Sequence, residues 1–463
     1  VSLDISRTRT ERDSFGEVEL PVDALWGVHA ERARLNFPPS WRRQPRSLLR
    51  GMGYVKQACA TANHKLGHLD DPVYEALASA CDELIAGLLG EHIVVDPLAG
   101  GAGTSFNMNV NEVLANRANV LLGGNPGDYA PVHPLDTVNK HQSTNDTFST
   151  AVRVAALGEL IELERELVAL QDALQELEKT YADEITVGRT QLQDAVPLTL
   201  GQQFGTWAEA AARDRWRVFK CLERLKSVNL GGTAIGTGLG APREYIFVVV
   251  KELRELTGLP VSRAENLVEA TANQDALVEA DGILTALAAD LAKLSWDLRV
   301  LSMPPVGEIS LPPVQAGSSI MPGKVNPVIA EYAWQCAQAV IGGHNVVTQA
   351  VAAGNLQLSQ FLPLAAWHLL DNLKLLRNAV RSLTERCIPG IQVDLDRARR
   401  HLEGSLSIGA ALVPVLGYEK VQRAVKLVGE EGLTLREALE RAGASHEDIK
   451  RALSPTQMRR LGD

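Results

Sequence analysis

Cysteine is scarce in this chain. The five residues, Cys59, Cys81, Cys221, Cys336 and Cys387, form no CxxC pair and no Cys/His cluster. Such spacing supports neither a disulfide framework nor a structural zinc site, and isolated thiols of this kind read as small buried hydrophobes of a reducing compartment. Basic residues are outnumbered: 46 Lys and Arg stand against 56 Asp and Glu, a formal charge of −10. A phosphate backbone asks for a basic face, so nucleic acid is excluded as the main partner. The short run Arg42, Arg43, Arg46, Arg50 reads as a solvated loop and helix start. Long apolar runs are missing, and the most apolar short segment, Tyr245 to Val250, cannot span a bilayer. The stretch Val1 to Arg12 is polar and lacks the apolar centre of a signal peptide. The expectation is a cytoplasmic protein with no membrane partner.

Strand signals are also sparse, whereas helical periodicity is abundant. Leu160, Leu163, Leu167, Leu170, Leu174 and Leu177 alternate spacings of three and four, which puts them on one stripe of a long helix. Leu284, Leu287, Leu291, Leu294, Leu298 and Leu301 repeat the pattern. Two such stripes far apart in sequence need partners along their whole length, so the class is mainly α, a bundle of long helices suited to subunit association. Further helices are expected near 48–60, 71–89, 198–226, 328–351 and 363–385, while the first fifty residues, with Pro21, Pro38, Pro39 and Pro45, look irregular.

Leucine seams do no chemistry; four segments rich in Gly, Ser, Thr and Asn and poor in charge are better candidates. The first is Gly100 to Asn109, where glycines let backbone N–H groups approach a ligand. Alone it reads as a structural turn. His141-Gln142-Ser143-Thr144-Asn145-Asp146 precedes a long helix; capping explains one or two of its polar residues but not four in succession, and a helix start with surplus hydroxyls suits a carboxylate. Gly188 to Ala195 has the same flavour and is otherwise a capped loop. Gly317-Ser318-Ser319-Ile320-Met321-Pro322-Gly323-Lys324-Val325-Asn326-Pro327 has the glycines of a swinging lid and one cation, Lys324, with no acidic partner nearby in sequence.

This last segment resembles, residue for residue, the signature loop of the fumarase/aspartase superfamily. Glu11 to Asn36, GGAGTSFNMNVNEVLANRA at 100–118, HQSTND, GRTQLQDAVPLTLGQ and NLGGTAIGTGL at 229–239 follow in that family's order, so the resemblance covers nearly the whole chain. It implies a three-domain, almost all-α subunit: an N-terminal mixed helical domain at 1–142, a central long-helix domain at 143–396 and a small C-terminal helical domain at 397–463. It also implies a homotetramer whose central helices associate and whose active sites each draw loops from three subunits. The implied chemistry is cofactor-free and metal-free anti elimination from a succinyl-type dicarboxylate, releasing fumarate through an enediolate. By the match Ser318 is the general base. Lys324 and Asn326 bind a carboxylate, and Thr104, Ser105, Ser143, Thr144, Asn145, Thr190, Gln191, Ser319 and Met321 complete the substrate site.

Fumarases resemble one another in reading GSGTQ, QSSND and GRTHL where this chain has GGAGTS, QSTND and GRTQL, as in aspartases. Gln191 stands where fumarases place a histidine that positions water. The expectation is therefore an aspartate ammonia-lyase-type C–N lyase. Departures at Ala30, Ala99, Gln357 and Leu362, and in the short Ser302 to Glu308 segment, leave an N-substituted aspartate open as substrate. Fumarate hydration is the other alternative. A non-catalytic structural protein would have lost the serine, lysine or hydroxyl cluster, and this chain keeps all three.

Overall fold

The structure, a computed structural model, describes residues 7–452 and 454–458; the polar start at residues 1–6 lies outside them. In chain order the elements are β1 (Thr8–Asp13), β2 (Gly16–Pro21), α1 (Val28–Asn36), α2 (Arg46–Lys65), α3 (Asp71–Ala86), α4 (Thr104–Leu121) and α5 (Thr144–Thr180). Then come β3 (Ile185–Thr190), β4 (Gln193–Thr199), α6 (Leu200–Leu225), β5 (Ser227–Val228), α7 (Arg243–Thr257), β6 (Ser262–Arg263), α8 (Leu267–Ala272) and α9 (Asp275–Ser302). The remainder is β7 (Ile309–Ser310), α10 (Val328–Ala352), α11 (Leu362–Arg386), β8 (Gln392–Val393), α12 (Leu395–Gly404), α13 (Gly409–Leu416), α14 (Tyr418–Glu431), α15 (Leu435–Arg441), α16 (His446–Ala452) and α17 (Pro455–Met458). The class is mainly α, and among the described residues the strands pair two by two.

The chain divides into two compact units. One holds Val1–Glu164, Arg217–Ala288 and Gln338–Arg377; the other holds Arg165–Trp216, Ala289–Ala337 and Asn378–Asp463. In the first, α2 packs on α3 and α7, and α4 on α1 and α3. Close approach needs a missing side chain: a Cβ on Gly51 of α2 would lie 2.5 Å from the Ala151 carbonyl of α5. Helix α3 shows how local chemistry sets its ends. Asp70 accepts the Val73 N–H at 3.3 Å, Pro72 occupies the first turn, and Gly87 at φ +84° stops the helix. In the second unit Val187 of β3 joins Leu402, Leu412, Leu439 and Ile449 in one apolar core, so the β3–β4 hairpin is anchored on the C-terminal helices.

Both leucine stripes lie on long helices. Leu160 to Leu174 of the stripe in α5 and Leu284 to Leu298 of that in α9 are buried, while the last leucine of each, Leu177 and Leu301, is half-buried. The first fifty residues are not irregular, however. The β1–β2 hairpin and α1 lie there, masked because TRTERD and GEVELP carry charged side chains on exposed strands and only Glu11 and Leu20 are buried. Arg9 fastens the hairpin, donating to the carbonyls of Pro21, Val22, Ala24 and Trp26 at 2.7–3.1 Å. Arg42 is not simply solvated either: its guanidinium lies 4.9 Å from the Trp367 ring centroid and 5.1 Å from that of Trp41.

Candidate active site

Five of the candidate positions open or cap two helices of the first unit. Gly101, Ala102 and Gly103 take φ of +100°, +56° and +88°, and α4 begins at Thr104 directly after them. A Cβ on Gly103 would sit 3.0 Å from the Phe148 ring of α5, so glycine is required twice over, for its left-handed φ and for its space. The segment expected as a loop is therefore the N-terminus of a helix, with Thr104 exposed and Ser105 half-buried. Helix α5 starts in the same way. Ser143 Oγ accepts the Asn145 N–H at 3.2 Å, and Asp146 Oδ1 accepts the Ser143 N–H at 3.0 Å, a reciprocal cap.

All four polar residues of this turn have structural partners. Thr144 Oγ1 accepts from Asn107 Nδ2 at 3.1 Å, and Asn145 Nδ2 donates to the Ala234 carbonyl at 2.7 Å. Asp146 Oδ2 takes the N–H groups of Gly231 and Thr233 at 3.1 and 3.0 Å, and Asn229 Nδ2 donates to the Asn145 carbonyl at 3.1 Å. The 229–239 segment is thus the wall that holds the turn. What remains for a ligand is the hydroxyl protons of Ser143 and Thr144 and the Asn145 side-chain carbonyl. Beside Thr144 and Asn145, a cavity of about 10 Å³ reaches Gln274, Leu358 and Ser359, room for one water-sized group. Ser359, 3% exposed, has a buried hydroxyl with no hydrogen-bond partner among the described residues.

Burial pushes the Asp146 carboxyl up to about 6, against the three N–H bonds it accepts. Lys56 and Asn139 support the turn and went unremarked in the sequence, and Asn107 and Asn229, which lie in segments singled out there, were given no role. A usable signal existed: Lys56 interrupts an otherwise uncharged stretch of α2, and α4 repeats asparagine at positions 107, 109, 111, 116 and 119, all buried.

The other candidates lie in the second unit. Thr190 ends β3, and Gln191 and Leu192 form the two-residue tip of the hairpin at φ +53° and +60°. Both central residues of such a tight turn must be left-handed, a position glycine or asparagine usually fills, so strain is stored at an exposed glutamine. The hairpin base is locked by Glu308, which is fully buried. Glu308 pairs with Arg189, accepts from Thr186 Oγ1 at 3.0 Å and meets His401 Nδ1 at 2.7 Å. Burial alone would raise the Glu308 carboxyl, but the bonds from Arg189 and His401 outweigh it and hold it below its ordinary value.

The 317–327 segment is an exposed loop closed by its own neck. Gly317 N–H donates to the Lys324 carbonyl at 2.7 Å, and Asn326 Nδ2 donates to the Gly317 carbonyl at 2.9 Å. Inside the loop, Ser318 Oγ accepts the N–H groups of Ile320 and Met321 at 3.2 and 3.0 Å. Ser319 and Met321 are exposed, and the Lys324 ammonium is exposed with no ion pair among the described residues. The structure therefore brings together the Thr104–Ser105 and Ser143–Asn145 helix starts in one unit. In the other it builds the Thr190–Gln191 tip and the Ser318–Asn326 loop as two separately braced features.

The family described as Lyase matches residues 16–342 of the chain. A class II fumarate hydratase of Myxococcus xanthus is 43% identical over 442 residues, 94% of each chain. The chain belongs to the fumarase/aspartase superfamily of lyases. An aspartate ammonia-lyase of a Bacillus species is 39% identical over 461 residues, 98% of each chain. A crystal structure of fumarate lyase:delta crystallin from Brucella melitensis bound to cobalt superposes with a TM-score of 0.92 at 44% identity, over 98% of this chain and all of that one. Among the described residues no group of three or more His, Cys, Asp or Glu side chains is placed to hold a metal ion, and no helix is long and apolar enough to cross a membrane.

Proposed function

We propose that this lyase is a C–N lyase of the aspartase kind, eliminating ammonia from L-aspartate to give fumarate, and in reverse adding ammonia to fumarate. Ser318, as alkoxide, takes the Cβ proton; the electron pair is held as an enediolate on the adjacent carboxylate. It then forms the Cα–Cβ double bond as the protonated amine leaves from the opposite face. Ser318 Oγ accepting two backbone N–H groups is the observation that carries this reading. A serine hydroxyl is a weak base, and donors aimed at its oxygen favour the ionised form. Lys324 and Asn326 on the same loop meet the carboxylate where charge builds, with Ser319 and Met321 beside it. Thr104, Ser105, Ser143, Thr144, Asn145 and Thr190 hold the other carboxylate and the amine. Gln191 favours amine over water, because it donates and accepts without titrating.

The proposal includes the domain division at 142/143 and 396/397, a cytoplasmic site for a chain with buried free thiols, and a homotetramer whose active sites draw loops from three subunits. Helix α10 supports association: Glu331 is its one Asp, Glu, Lys or Arg, and its exposed positions include Trp334, Gln335, Gln338, Ile341 and Asn345. Fumarate hydration is the second reading, favoured by the class II fumarate hydratases among the similar proteins. Ultraviolet absorbance of fumarate formed from L-aspartate, L-malate and N-substituted aspartates decides between them. Malate turnover exceeding aspartate turnover overturns the C–N reading, and preference for an N-substituted donor moves it to that substrate.

A further inference from the structure

Lys56 is a charged side chain in an apolar place. It lies in mid-α2 at 1% exposure, beside the fully buried Met52, Val55 and Cys59. A well-packed apolar residue would fill that space without the cost of desolvating an ammonium, so what the charge holds needs an answer.

It holds the chain that leads into the α5 turn. Lys56 Nζ donates to Gln142 Oε1 at 2.8 Å and to Asn139 Oδ1 at 3.2 Å. Gln142 Nε2 turns back to the carbonyls of Val138 and Lys140 at 2.9 and 3.2 Å, which wraps 138–142 around the ammonium. Asn139 Oδ1 also takes Asn107 Nδ2 at 3.2 Å and Asn111 Nδ2 at 3.1 Å. Asn107, itself 1% exposed, gives its other proton to Thr144 Oγ1 at 3.1 Å. Once the Thr144 oxygen has accepted from Asn107, its own proton is aimed elsewhere, and Gln142 is covalently next to Ser143.

We propose that Lys56 is a positioning residue: through Asn139, Gln142 and Asn107 its ammonium fixes the Thr144 hydroxyl and the Ser143 turn for a small dicarboxylate. This rests on the reading of that turn as a carboxylate site. Lys56 never touches the ligand; it sets the direction of groups that do.

The surroundings make Lys56 titrate where it can be read. Facing it are Cys59 on its own helix, Cys81 on α3 and Asp146 on α5, with Tyr245 of α7 next to Cys59 and His141 edge-on to Tyr245. Burial lowers the Lys56 pKa to about 8, with Cys59, Asp146 and Cys81 pulling the other way. Burial lifts the Cys59 thiol to about 12, and Cys81 and Tyr245 are pushed up as well. Asp146 stands at about 6, and His141 is lowered by burial and then by His68 and Lys140. Of this cluster, Lys56 alone changes charge around a pH of about 8.

Calorimetric binding of succinate, an unreactive dicarboxylate, tests the proposal on the full chain. Wild type should lose affinity through a midpoint near 8 as Lys56 gives up its proton. Lys56→Met should bind about tenfold more weakly at neutral pH, the scale of one charge-assisted contact, and should lose that midpoint. If Lys56→Met does not fold, Gln142→Met, which leaves Lys56 its bond to Asn139, should weaken binding several-fold. Unchanged affinity in either folded variant, or a wild-type affinity that is flat through that midpoint, overturns the proposal. A chain that binds succinate but turns over neither aspartate nor malate defeats the proposed reaction and leaves Lys56 to be judged by binding. A chain that does neither defeats both.

Discussion

The Asp146 carboxylate and the Gly231 amide, 85 residues apart, are joined by a 3.1 Å hydrogen bond, and the other oxygen of the same carboxylate closes the cap on Ser143. One fully buried acid thus welds the start of α5 to the 229–239 wall. Its pKa, about 6, lies above the ordinary 3.8 because burial outweighs the N–H bonds. The sign follows. Between those two values the folded state holds the extra proton, so the Asp146 contribution to stability is full at low pH and is lost as pH rises through about 6. Asp146→Asn cannot titrate. Urea unfolding of both proteins at several pH values should show wild type losing about 3 kcal/mol relative to the variant as pH rises across this window. Parallel curves would remove Asp146 as the cause.

The hairpin tip depends on Glu308 in the same way that the α5 turn depends on Asp146. Glu308→Ala leaves the Arg189 guanidinium without its buried acceptor, a loss of about 3–5 kcal/mol for a broken buried pair. The damage should fall on the hairpin, since Glu308 ties β3 to His401 of α12. Limited proteolysis should cut at 190–194 much faster than in wild type while far-UV circular dichroism keeps its helical signal. Equal cutting rates would show that the hairpin is held by the Val187 core alone.

Legibility in the sequence follows the physics of each element. The α5 and α9 stripes were readable because a seam along a long helix forces leucine into spacings of three and four, and Leu160 to Leu174 and Leu284 to Leu298 are buried at those spacings. The β1–β2 hairpin was not, because its strands show charge on both faces and are held by Arg9 reaching back to carbonyls, a contact without a periodic trace. The candidate site divides along the same line. Ser143, Thr144 and Asn145 announced themselves as surplus polar residues at a helix start, yet the partners of Thr144 and Asn145, namely Asn107, Asn229 and Ala234, are distant in sequence. The hairpin at Thr190–Gln191 read as a loop, since Gln-Leu is not the Asn-Gly pair that marks a tight turn.

Gln191→His tests the choice between amine and water at that strained tip. An imidazole titrates near neutral pH and can take or give a proton as it orients water, whereas the glutamine amide donates and accepts without titrating. The variant should raise malate turnover relative to aspartate turnover by about tenfold, measured as the ratio of kcat/KM values. An unchanged ratio would leave the leaving-group preference to residues other than Gln191.

Ser318→Ala is the sharpest test of the base. The neck of its loop is made by Gly317, Lys324 and Asn326, without the serine side chain, so the loop should keep its shape when Oγ is removed. Only the oxygen that collects the Ile320 and Met321 N–H groups is lost. Loss of a general base costs about 10³-fold in rate, and uniform substrate binding should be spared because Lys324 and Asn326 remain. The expected outcome is fumarate formation down by about that factor, with succinate affinity within threefold of wild type and an unchanged oligomeric mass by light scattering. Turnover within tenfold of wild type would mean that another group takes the proton, and the two amides around Ser318 would then be no more than the inside of a tight turn.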